Sequence, residues 1–404
     1  MNSRGLTIAP CPVCAHTVAV PFFDGGNQPL ATLGWPASAA DAQAMERFPH
    51  DFAQCPKCTH VWNPSFTYDA VPYRNNPNRM FNKGRIWGEH LAITRDLILS
   101  RLPATPTVVD IGCGEGHFAR NLAAARNGEG RFMGFDPNVT AETGAGVEFR
   151  PRLFEPLRDM TDLKPDAIAI RHVLEHLTDP ANLLNQLTWS AAGLGKDCWL
   201  FAEAPCIDRV FETGRLADFF YEHLSHFTTQ SFRTLMENAG EIVELAHGYD
   251  GEVVYALVKL NVPDTMLATA QRAERFASAA AVSRKAIRAA LDQLAASGKS
   301  VAIWGGTGKA AAFIHQFGAD ASRFSLVVDS DPSKVGTFVP GTGQENRFRD
   351  ALKGRTIDVV IIPTQWRARD IVAEMQREAI QPGQVLIEHG GQLVDFAVAD
   401  HPYR

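Results

Sequence analysis

The stretch TVVDIGCGEGHFARNLAAA, residues 107–125, constrains the fold of this chain more than any other segment. Its β-branched start predicts a buried strand, its glycines allow a tight turn in which the backbone approaches a ligand closely, and its alanine-rich end predicts a helix. Further apolar runs follow and alternate with helical patterns: RFMGFDP, DAIAIRHVLEHL and CWLFAEAP. Strands that alternate with helices predict an α/β fold with a parallel, doubly wound sheet.

The 404 residues are too many for one core of the usual size, so two or three domains are expected. Residues 1–72 are rich in proline and glycine around two cysteine pairs, which predicts a small zinc-binding module. Residues 73–262 carry the first strand–helix alternation and end in an antiparallel hairpin pattern. Residues 263–298 predict an alanine-rich linker helix, and residues 299–404 predict a second, smaller Rossmann-like α/β domain.

Composition and charge exclude several classes of partner. The formal net charge is −6 and no run of Lys and Arg is present, which argues against nucleic-acid binding. No apolar run approaches the roughly 18 residues of a membrane span, and MNSRGLTIAP lacks the apolar region of a signal peptide. We therefore expect a cytoplasmic protein with no nucleic-acid or membrane partner, in a compartment where thiols stay reduced.

Two C-x-x-C pairs stand near the start of the sequence, Cys11-Pro-Val-Cys14 and Cys55-Pro-Lys-Cys58. Such pairs in a reducing compartment indicate metal or redox chemistry, and a thioredoxin-like motif would require a βαβ unit that neither pair has. Four thiolates on two tight turns can bind zinc tetrahedrally, and a site closed in this way is structural. The alternative is that all four are unligated core thiols.

Acidic residues accompany the glycine turn in a pattern typical of cofactor binding. Asp110 ends the strand before Gly112, Gly114 and Gly116, and Asp136 ends the next strand about 20 residues after the turn. An acid at the mouth of the turn suits a ligand that carries a cation there, and a carboxylate at the later position can accept hydrogen bonds from ribose hydroxyls. The pattern resembles the S-adenosylmethionine site of class I methyltransferases. That resemblance implies that Asp110 and the glycines face the methionyl part and that Asp136 holds the ribose.

A second glycine turn, AIWGGTGKAA, contains Gly306 and Gly308 in a match to G-x-G-x-x-G/A, and Asp329 ends the following strand. Two interpretations stay open. The turn binds a nucleotide, which in the nicotinamide case would make the protein an NAD(P)-dependent oxidoreductase, or its glycines only close the corner between strand and helix.

Two segments that carry histidines follow strands of the first alternation. His172 comes directly after DAIAIR, and FFYEHLSHF, residues 219–227, comes after CWLFAEAP. The carboxyl ends of parallel strands line the ligand crevice, so both segments are expected near the cofactor. A methyl acceptor must lose a proton, and we predict His223 as the base, with Glu222 orienting it or sharing the task. Tyr221 and His172 are predicted to hold the acceptor oxygen. The alternative for residues 219–227 is an amphipathic helix whose ionisable side chains face water.

Four features follow one another along this sequence: paired cysteine knuckles, a glycine turn like that of adenosylmethionine sites, a Y-E-H-x-x-x-F segment and a small terminal α/β domain. This order resembles the sugar C-methyltransferases that act on nucleotide-activated keto-deoxysugars. The resemblance implies zinc in the N-terminal module, S-adenosylmethionine in the central domain, and a terminal domain that encloses the nucleotide-sugar without a redox cofactor. It also implies that Glu222 and His223 remove the proton alpha to the ketone, and that His172 occupies the polar position at the strand end.

The sequence departs from the family pattern around this pair. Phe220 and Tyr221 stand where the family has Tyr and His, and His226 stands where it has a second tyrosine. Because phenylalanine cannot hydrogen-bond to a sugar oxygen, contacts to the acceptor must differ. Methylation of carbon is expected, with an oxygen or nitrogen acceptor as the alternative and a non-catalytic assembly protein as another. We expect a monomer or a homodimer.

Overall fold

The computed structural model describes residues 5–73, 84–144 and 146–404. The chain divides into two compact units, Met1–Asp264 and Thr265–Arg404. The first unit contains both cysteine pairs and the first strand–helix alternation, and the second contains the second alternation. Both units combine helices with sheets, which confirms the predicted α/β class. The finer division of the chain into a zinc module, a methyltransferase domain, a linker and a terminal domain stays a prediction.

A small antiparallel sheet surrounds the cysteine pairs in the described part of the first unit. Its strands, in spatial order, are β1 (Thr7–Ile8), β2 (Val18–Gln28), β3 (Phe48–Gln54), β4 (Val61–Trp62) and β10 (Ser225–His226), and the short helix α1 (Ala39–Ala44) lies between β2 and β3 in sequence. Strand β10 comes from far along the chain, and its two residues pair with Trp62 and Val61. The segment 219–227 therefore contributes a strand to the sheet of the N-terminal region.

The main sheet of the first unit is mostly parallel. Its described strands are β5 (Thr107–Ile111), β6 (Arg131–Phe135), β7 (Val147–Arg150), β8 (Ala167–Arg171), β9 (Trp199–Pro205), β11 (Gly240–Gly248) and β12 (Val253–Leu260), in the order β11-β12-β9-β8-β5-β6-β7. Strands β5 to β9 run parallel, whereas β12 is antiparallel to both β9 and β11. The predicted hairpin therefore closes this sheet at one edge.

Helices cover both faces of the main sheet, and each face has its own apolar core. The helices are α2 (Arg85–Leu99), α3 (His117–Ala125), α4 (Pro156–Leu163), α5 (Pro180–Ala192) and α7 (Thr229–Glu237), whereas α6 (Asp208–Thr213) packs through Val210 against the N-terminal sheet. Neighbouring residues of one strand belong to different cores, as with Val108 and Val109 of β5 or Leu200 and Phe201 of β9. Burial on both faces explains why these strands are continuous apolar runs in the sequence.

The second unit is a smaller α/β unit. It contains helices α8 (Asp264–Ala296), α9 (Lys309–Phe317) and α10 (Ala368–Arg377), and strands β13 (Val301–Trp304), β14 (Leu326–Asp329), β15 (Asn346–Phe348), β16 (Val359–Ile362), β17 (Gln384–His389) and β18 (Gln392–Asp395). The strand order is β15-β14-β13-β16-β17-β18, with β18 antiparallel and the other pairs parallel. Helix α8 packs into this unit's core through Ile287 and Leu291. Among the described residues, no helix is both long and apolar enough to cross a membrane.

Position 116, just before α3, requires glycine both because of its backbone angle and because a side chain would not fit there. Its φ is +76°, and a Cβ there would lie 2.3 Å from the Phe149 ring. Gly128 has the same φ of +76°, but a Cβ there would meet nothing within 4 Å. We expect Gly128→Ala to lower the free energy of unfolding by about 1 kcal/mol through backbone strain alone. Gly116→Ala should cost about 1–3 kcal/mol more, because the ring must also move.

Urea denaturation of both variants measures this difference. Both glycines have the same φ, so Gly128→Ala measures the cost of the backbone angle alone. The difference between the two variants then measures the steric cost at Gly116. Equal unfolding midpoints for the two variants would contradict a steric requirement at Gly116.

Candidate active site

The glycine turn and the second acid meet at the carboxyl edge of the main sheet. The backbone N–H of Gly112 donates to the carbonyl of Phe135 at 2.8 Å, which fixes the turn against the end of β6. The N–H of Gly114 donates to Oδ2 of Asp136 at 3.1 Å. The structure therefore brings together the predicted cofactor residues of β5, the turn and β6. Among the described residues, nothing lies within 4 Å of a Cβ placed on Gly114, which leaves room for a ligand over the turn.

Asp110 is buried beneath this turn, with 3% of its surface exposed. Burial raises the pKa of Asp110 to about 7, with the Arg171 guanidinium opposing the rise and Asp136 adding to it. A cationic ligand would favour the ionised form, because an opposite charge nearby stabilises the carboxylate. The sulfonium and ammonium groups of S-adenosylmethionine fit such a site.

Glu222 anchors the segment 219–227 to the N-terminal region. Its carboxylate is fully buried and accepts backbone N–H groups of Ala31 at 3.1 Å, Thr32 at 2.7 Å and Leu33 at 3.0 Å. Hydrogen bonds from N–H groups to a carboxylate are stronger than those between neutral groups. The three amides hold the Glu222 side chain in the loop that precedes α1, so its effect on the neighbouring His223 passes through the backbone.

His223 lies in an aromatic environment beside a second histidine. Its ring centroid is 4.1 Å from that of Phe220 and 4.8 Å from that of His176. Burial holds the pKa of His223 well below its usual range, and the nearby rings of His176 and His226 lower it further. The imidazole is therefore neutral at neutral pH and able to accept a proton, as a general base requires.

Tyr73 connects the segment 219–227 to the carboxyl edge of the main sheet. No sequence pattern had pointed to this residue. Its hydroxyl donates to the backbone carbonyl of Glu222 and lies 3.3 Å from Nδ1 of His176. Its own carbonyl accepts from the side-chain amide of Asn138, whose backbone N–H donates to Oδ1 of Asp136 at 2.8 Å. A continuous series of contacts thus runs from the second cofactor acid to the residue next to His223.

His172 belongs to a buried cluster of charges at the ends of β8 and β9. Its Nε2 lies 2.9 Å from Glu203 and its Nδ1 lies 3.6 Å from Glu175. Burial opposes the charged ring, but these carboxylates outweigh it and raise the pKa of His172 to about 9. Arg171 and His90 also contact Glu203, at 2.8 and 2.6 Å. Both nitrogens of His172 face carboxylates, so its predicted contact with the acceptor oxygen would require a rearrangement and stays a prediction.

The sequence did contain a signal for this charge cluster. Glu203 and Arg171 interrupt strands that are otherwise apolar, WLFAEAP and AIAIR. A charge inside a buried strand must be paired, so these two residues could have been selected. His90 had no comparable signal, since it lies within an ordinary helical pattern in α2.

Tyr221 lies in the core of the N-terminal region. Only 1% of its surface is exposed, and its hydroxyl accepts the backbone N–H of Thr67 at 2.9 Å. Its ring stacks on Phe48 with a centroid separation of 4.7 Å. These contacts give Tyr221 a packing function, and its predicted contact with the acceptor stays untested.

The four predicted zinc ligands converge. Sγ of Cys11 lies 3.6 Å from that of Cys58, the pair Cys14 and Cys55 is separated by the same 3.6 Å, and all four sulfurs lie within 4.8 Å of one another. Thiolates bound tetrahedrally at about 2.3 Å would be about 3.8 Å apart, whereas a disulfide would be about 2.05 Å long. A hydrogen bond with Cys58 lowers the pKa of Cys11 to about 6, which favours the thiolate. The residues present therefore fit a closed zinc site.

The second glycine turn precedes α9 in the second unit. A Cβ on Gly306 would lie 1.6 Å from Oδ1 of Asn346, so close packing alone requires glycine there. The carboxylate of Asp329 accepts the N–H of Asp331 at 2.9 Å and lies 3.2 Å from Nζ of Lys334. These contacts account for the motif by packing and local hydrogen bonds, and nucleotide binding at this turn stays a prediction.

Comparison with known proteins agrees with this geometry. A family model described as a methyltransferase domain matches residues 87–244, and one described as a C-methyltransferase C-terminal domain matches residues 254–389. The C-methyltransferase NovU of Streptomyces niveus is 25% identical over 413 residues, covering 92% of this chain and 93% of that protein. The chain therefore contains a methyltransferase domain followed by a C-methyltransferase C-terminal domain. It is an S-adenosylmethionine-dependent methyltransferase, which confirms the predicted enzyme class.

Solved methyltransferase structures also match part of the chain. The N-methyltransferase NodS from Bradyrhizobium japonicum is 18% identical, with 45% of this chain and 100% of that chain covered and a TM-score of 0.33. The plantazolicin methyltransferase BpumL, in complex with a pentazolic desmethylPZN analog and S-adenosylhomocysteine, is 16% identical, with 44% and 84% covered and a TM-score of 0.34.

The pKa of Asp110 predicts how cofactor binding depends on pH. We expect the affinity for S-adenosylhomocysteine, measured by calorimetry, to fall as the pH drops from 8 to 6. The reason is that a carboxyl with a pKa of about 7 loses its charge over this range and no longer attracts the ligand's ammonium group. Asp110→Asn should bind about tenfold more weakly at pH 8, equivalent to about 1.4 kcal/mol, with little dependence on pH. A wild-type affinity that stays constant from pH 8 to 6 would contradict this assignment.

Proposed function

We propose that this methyltransferase transfers a methyl group to the carbon beside a ketone on a nucleotide-activated deoxysugar. The name of the relative that matches nearly the whole chain, a C-methyltransferase, supports a carbon acceptor. The main support is the series of contacts from Asp136 through Asn138 and Tyr73 to the segment of His223. It connects the carboxyl edge of the main sheet to a histidine whose low pKa keeps the ring unprotonated at neutral pH and so able to accept a proton.

In this proposal His223 accepts the proton alpha to the ketone, and the electron pair left behind forms an enolate. Glu222 orients His223 through the backbone, because its carboxylate and its carbonyl are both held by hydrogen bonds. Tyr221 and His172 stabilise the acceptor oxygen. S-adenosylmethionine, when bound, supplies the electrophilic methyl group that the enolate carbon attacks in line.

The cofactor and metal residues have separate tasks in the proposal. Asp110 and the backbone of Gly112, Gly114 and Gly116 bind the methionyl part, and Asp136 binds the ribose. Cys11, Cys14, Cys55 and Cys58 bind a structural zinc ion with no open coordination position.

Replacement of His223 tests the base. We expect His223→Gln to lower kcat about 10²- to 10⁴-fold, the range typical of a lost general base. The variant should also lose hydrogen–deuterium exchange at the alpha carbon, measured by NMR in D2O with dTDP- and GDP-linked ketodeoxysugars and without methyl donor. Affinity for S-adenosylhomocysteine should stay within about threefold of wild type, since His223 is not assigned to the cofactor.

His226→Gln is the matched control for that experiment. His226 lies on the same segment, and its buried ring packs against Phe52 and Phe219 with centroid separations of 5.2 and 4.8 Å. This variant should lose stability and keep the exchange reaction. Exchange at the wild-type rate in His223→Gln would remove His223 as the base, and methyl transfer without any exchange in wild type would favour an oxygen or nitrogen acceptor.

Metal analysis tests the zinc site. We expect about one zinc ion per chain, with none left in a variant that carries Cys55→Ser and Cys58→Ser. Kcat should fall as well, because β4 follows this knuckle and pairs with β10 beside His223. Cys198→Ser removes a buried cysteine outside the cluster and should keep its zinc. Wild-type protein that is purified without chelators and folded, yet free of zinc, would contradict the assignment.

A further inference from the structure

Glu175 is a buried carboxylate that the proposed mechanism leaves unused. It lies in the short turn after β8, and only 1% of its surface is exposed. Neither of its oxygens has a hydrogen-bond partner in the described part of the chain. A buried carboxylate without donors is costly, and such groups persist where a function requires them.

The carboxylate faces the histidines of the candidate active site. One ligand atom each from Glu175, His176 and His223 lies within 4.8 Å of the other two. Oε1 of Glu175 also lies 3.6 Å from Nδ1 of His172. Glu175 is thus close both to a charged histidine and to His223.

The hydrogen bonds of His176 indicate whether its ring or that of His223 can donate to Glu175. Nδ1 of His176 lies 2.7 Å from the carbonyl of Glu222, and because a carbonyl only accepts, Nδ1 carries the proton. The proton on Nδ1 of His176 is thus directed to the carbonyl of Glu222. His223 gains a second ring N–H, and with it a donor for Glu175, when it takes a proton from the substrate.

The carboxylate of Glu222 cannot perform this task in the observed arrangement. Its oxygens already accept three backbone N–H groups from residues 31–33. Breaking these bonds in a buried site would cost the desolvation of each N–H, about 1–3 kcal/mol per group. Glu175 has its acceptor capacity available within the same cluster.

We propose that Glu175 is the positioning residue for His223: it orients the ring and balances the imidazolium charge formed when His223 removes the alpha proton. This inference rests on the proposed function. The substrate C–H bond breaks, its electron pair stays on carbon as the enolate, the proton goes to a ring nitrogen of His223, and Glu175 stays ionised. The charged ring of His172 disfavours a second positive charge on His223, so a carboxylate beside the ring stabilises the protonated base.

The same three residues could in principle bind a divalent cation, since two histidines and one carboxylate form a known metal-binding set. The imidazolium of His172, 3.6 Å from Glu175, argues against a second cation there. The test therefore includes metal content as an outcome.

The test is a double-mutant cycle with Glu175→Gln, His223→Gln and the combined variant, assayed on the best acceptor from a panel of dTDP- and GDP-linked ketodeoxysugars. We expect Glu175→Gln to lower kcat about 10- to 100-fold while KM and affinity for S-adenosylhomocysteine stay within about threefold. Because Glu175 acts through His223, the combined variant should be no slower than His223→Gln alone. Glu175→Asp should recover part of the activity.

The pH profile separates positioning from a structural defect. Without the carboxylate, protonated His223 is less stable, so the acid limb of kcat/KM should move to lower pH in Glu175→Gln. Glu222→Gln is the structural comparison: it should lower the melting temperature by weakening three hydrogen bonds, whereas Glu175→Gln should leave it unchanged or raise it.

Four results would overturn the inference. Wild-type kcat in Glu175→Gln beside an inactive His223→Gln would overturn this inference alone. Losses that multiply in the combined variant would show that Glu175 acts independently of His223, and a second bound metal that Glu175→Gln loses would make it a ligand. Wild-type kcat in His223→Gln would instead overturn the proposed function, and this inference with it.

Discussion

The hydrogen bonds between Glu222 and the backbone of residues 31–33 are the constraint on which the candidate active site depends. They tie one end of the histidine segment to the loop before α1, while the pairing of His226 with Val61 ties the other end to the sheet around the cysteines. His223 lies between these two attachments. The N-terminal region therefore holds His223 in place, and a metal ion that stabilises this region would help to fix the position of that ring.

A second constraint is the charge cluster around Glu203 at the ends of β8 and β9. Although burial disfavours a carboxylate, Arg171, His172 and His90 hold the pKa of Glu203 well below its usual range. Buried ion pairs of this kind contribute little net stability, because desolvation offsets much of their attraction. One member of the cluster also acts on the predicted cofactor site, because the Arg171 guanidinium opposes the rise in the pKa of Asp110.

How far the sequence could predict the site depended on the distance along the chain between interacting residues. Asp110, the glycines and Asp136 lie within about 30 residues of one another, and a strand–turn–helix unit fixes their relation, so the pattern identified them. The amide partners of Glu222 lie 189 to 191 positions earlier, and no local pattern encodes such a contact. Tyr73 was missed for the same reason, because its contacts with Glu222 and Asn138 are also long-range. Residue type suggested acid–base chemistry in the segment 219–227, but only the fold distinguished an anchored Glu222 from an unsatisfied Glu175.

The phenylalanine at position 220, where the family pattern has a tyrosine, has a physical consequence for His223. Phe220 stands where the family has a tyrosine and packs against the ring of His223 at 4.1 Å. An apolar ring at that distance excludes water and disfavours the imidazolium, which by itself would make His223 a weaker base. In our proposal Glu175, with an oxygen within 4.8 Å of a ring nitrogen of His223, opposes that effect, and most strongly when the proton arrives, because the attraction of opposite charges is poorly screened at a buried carboxylate. Phe220 and Glu175 therefore act on the same equilibrium in opposite directions: one keeps the resting base neutral, and the other stabilises its protonated form during the reaction.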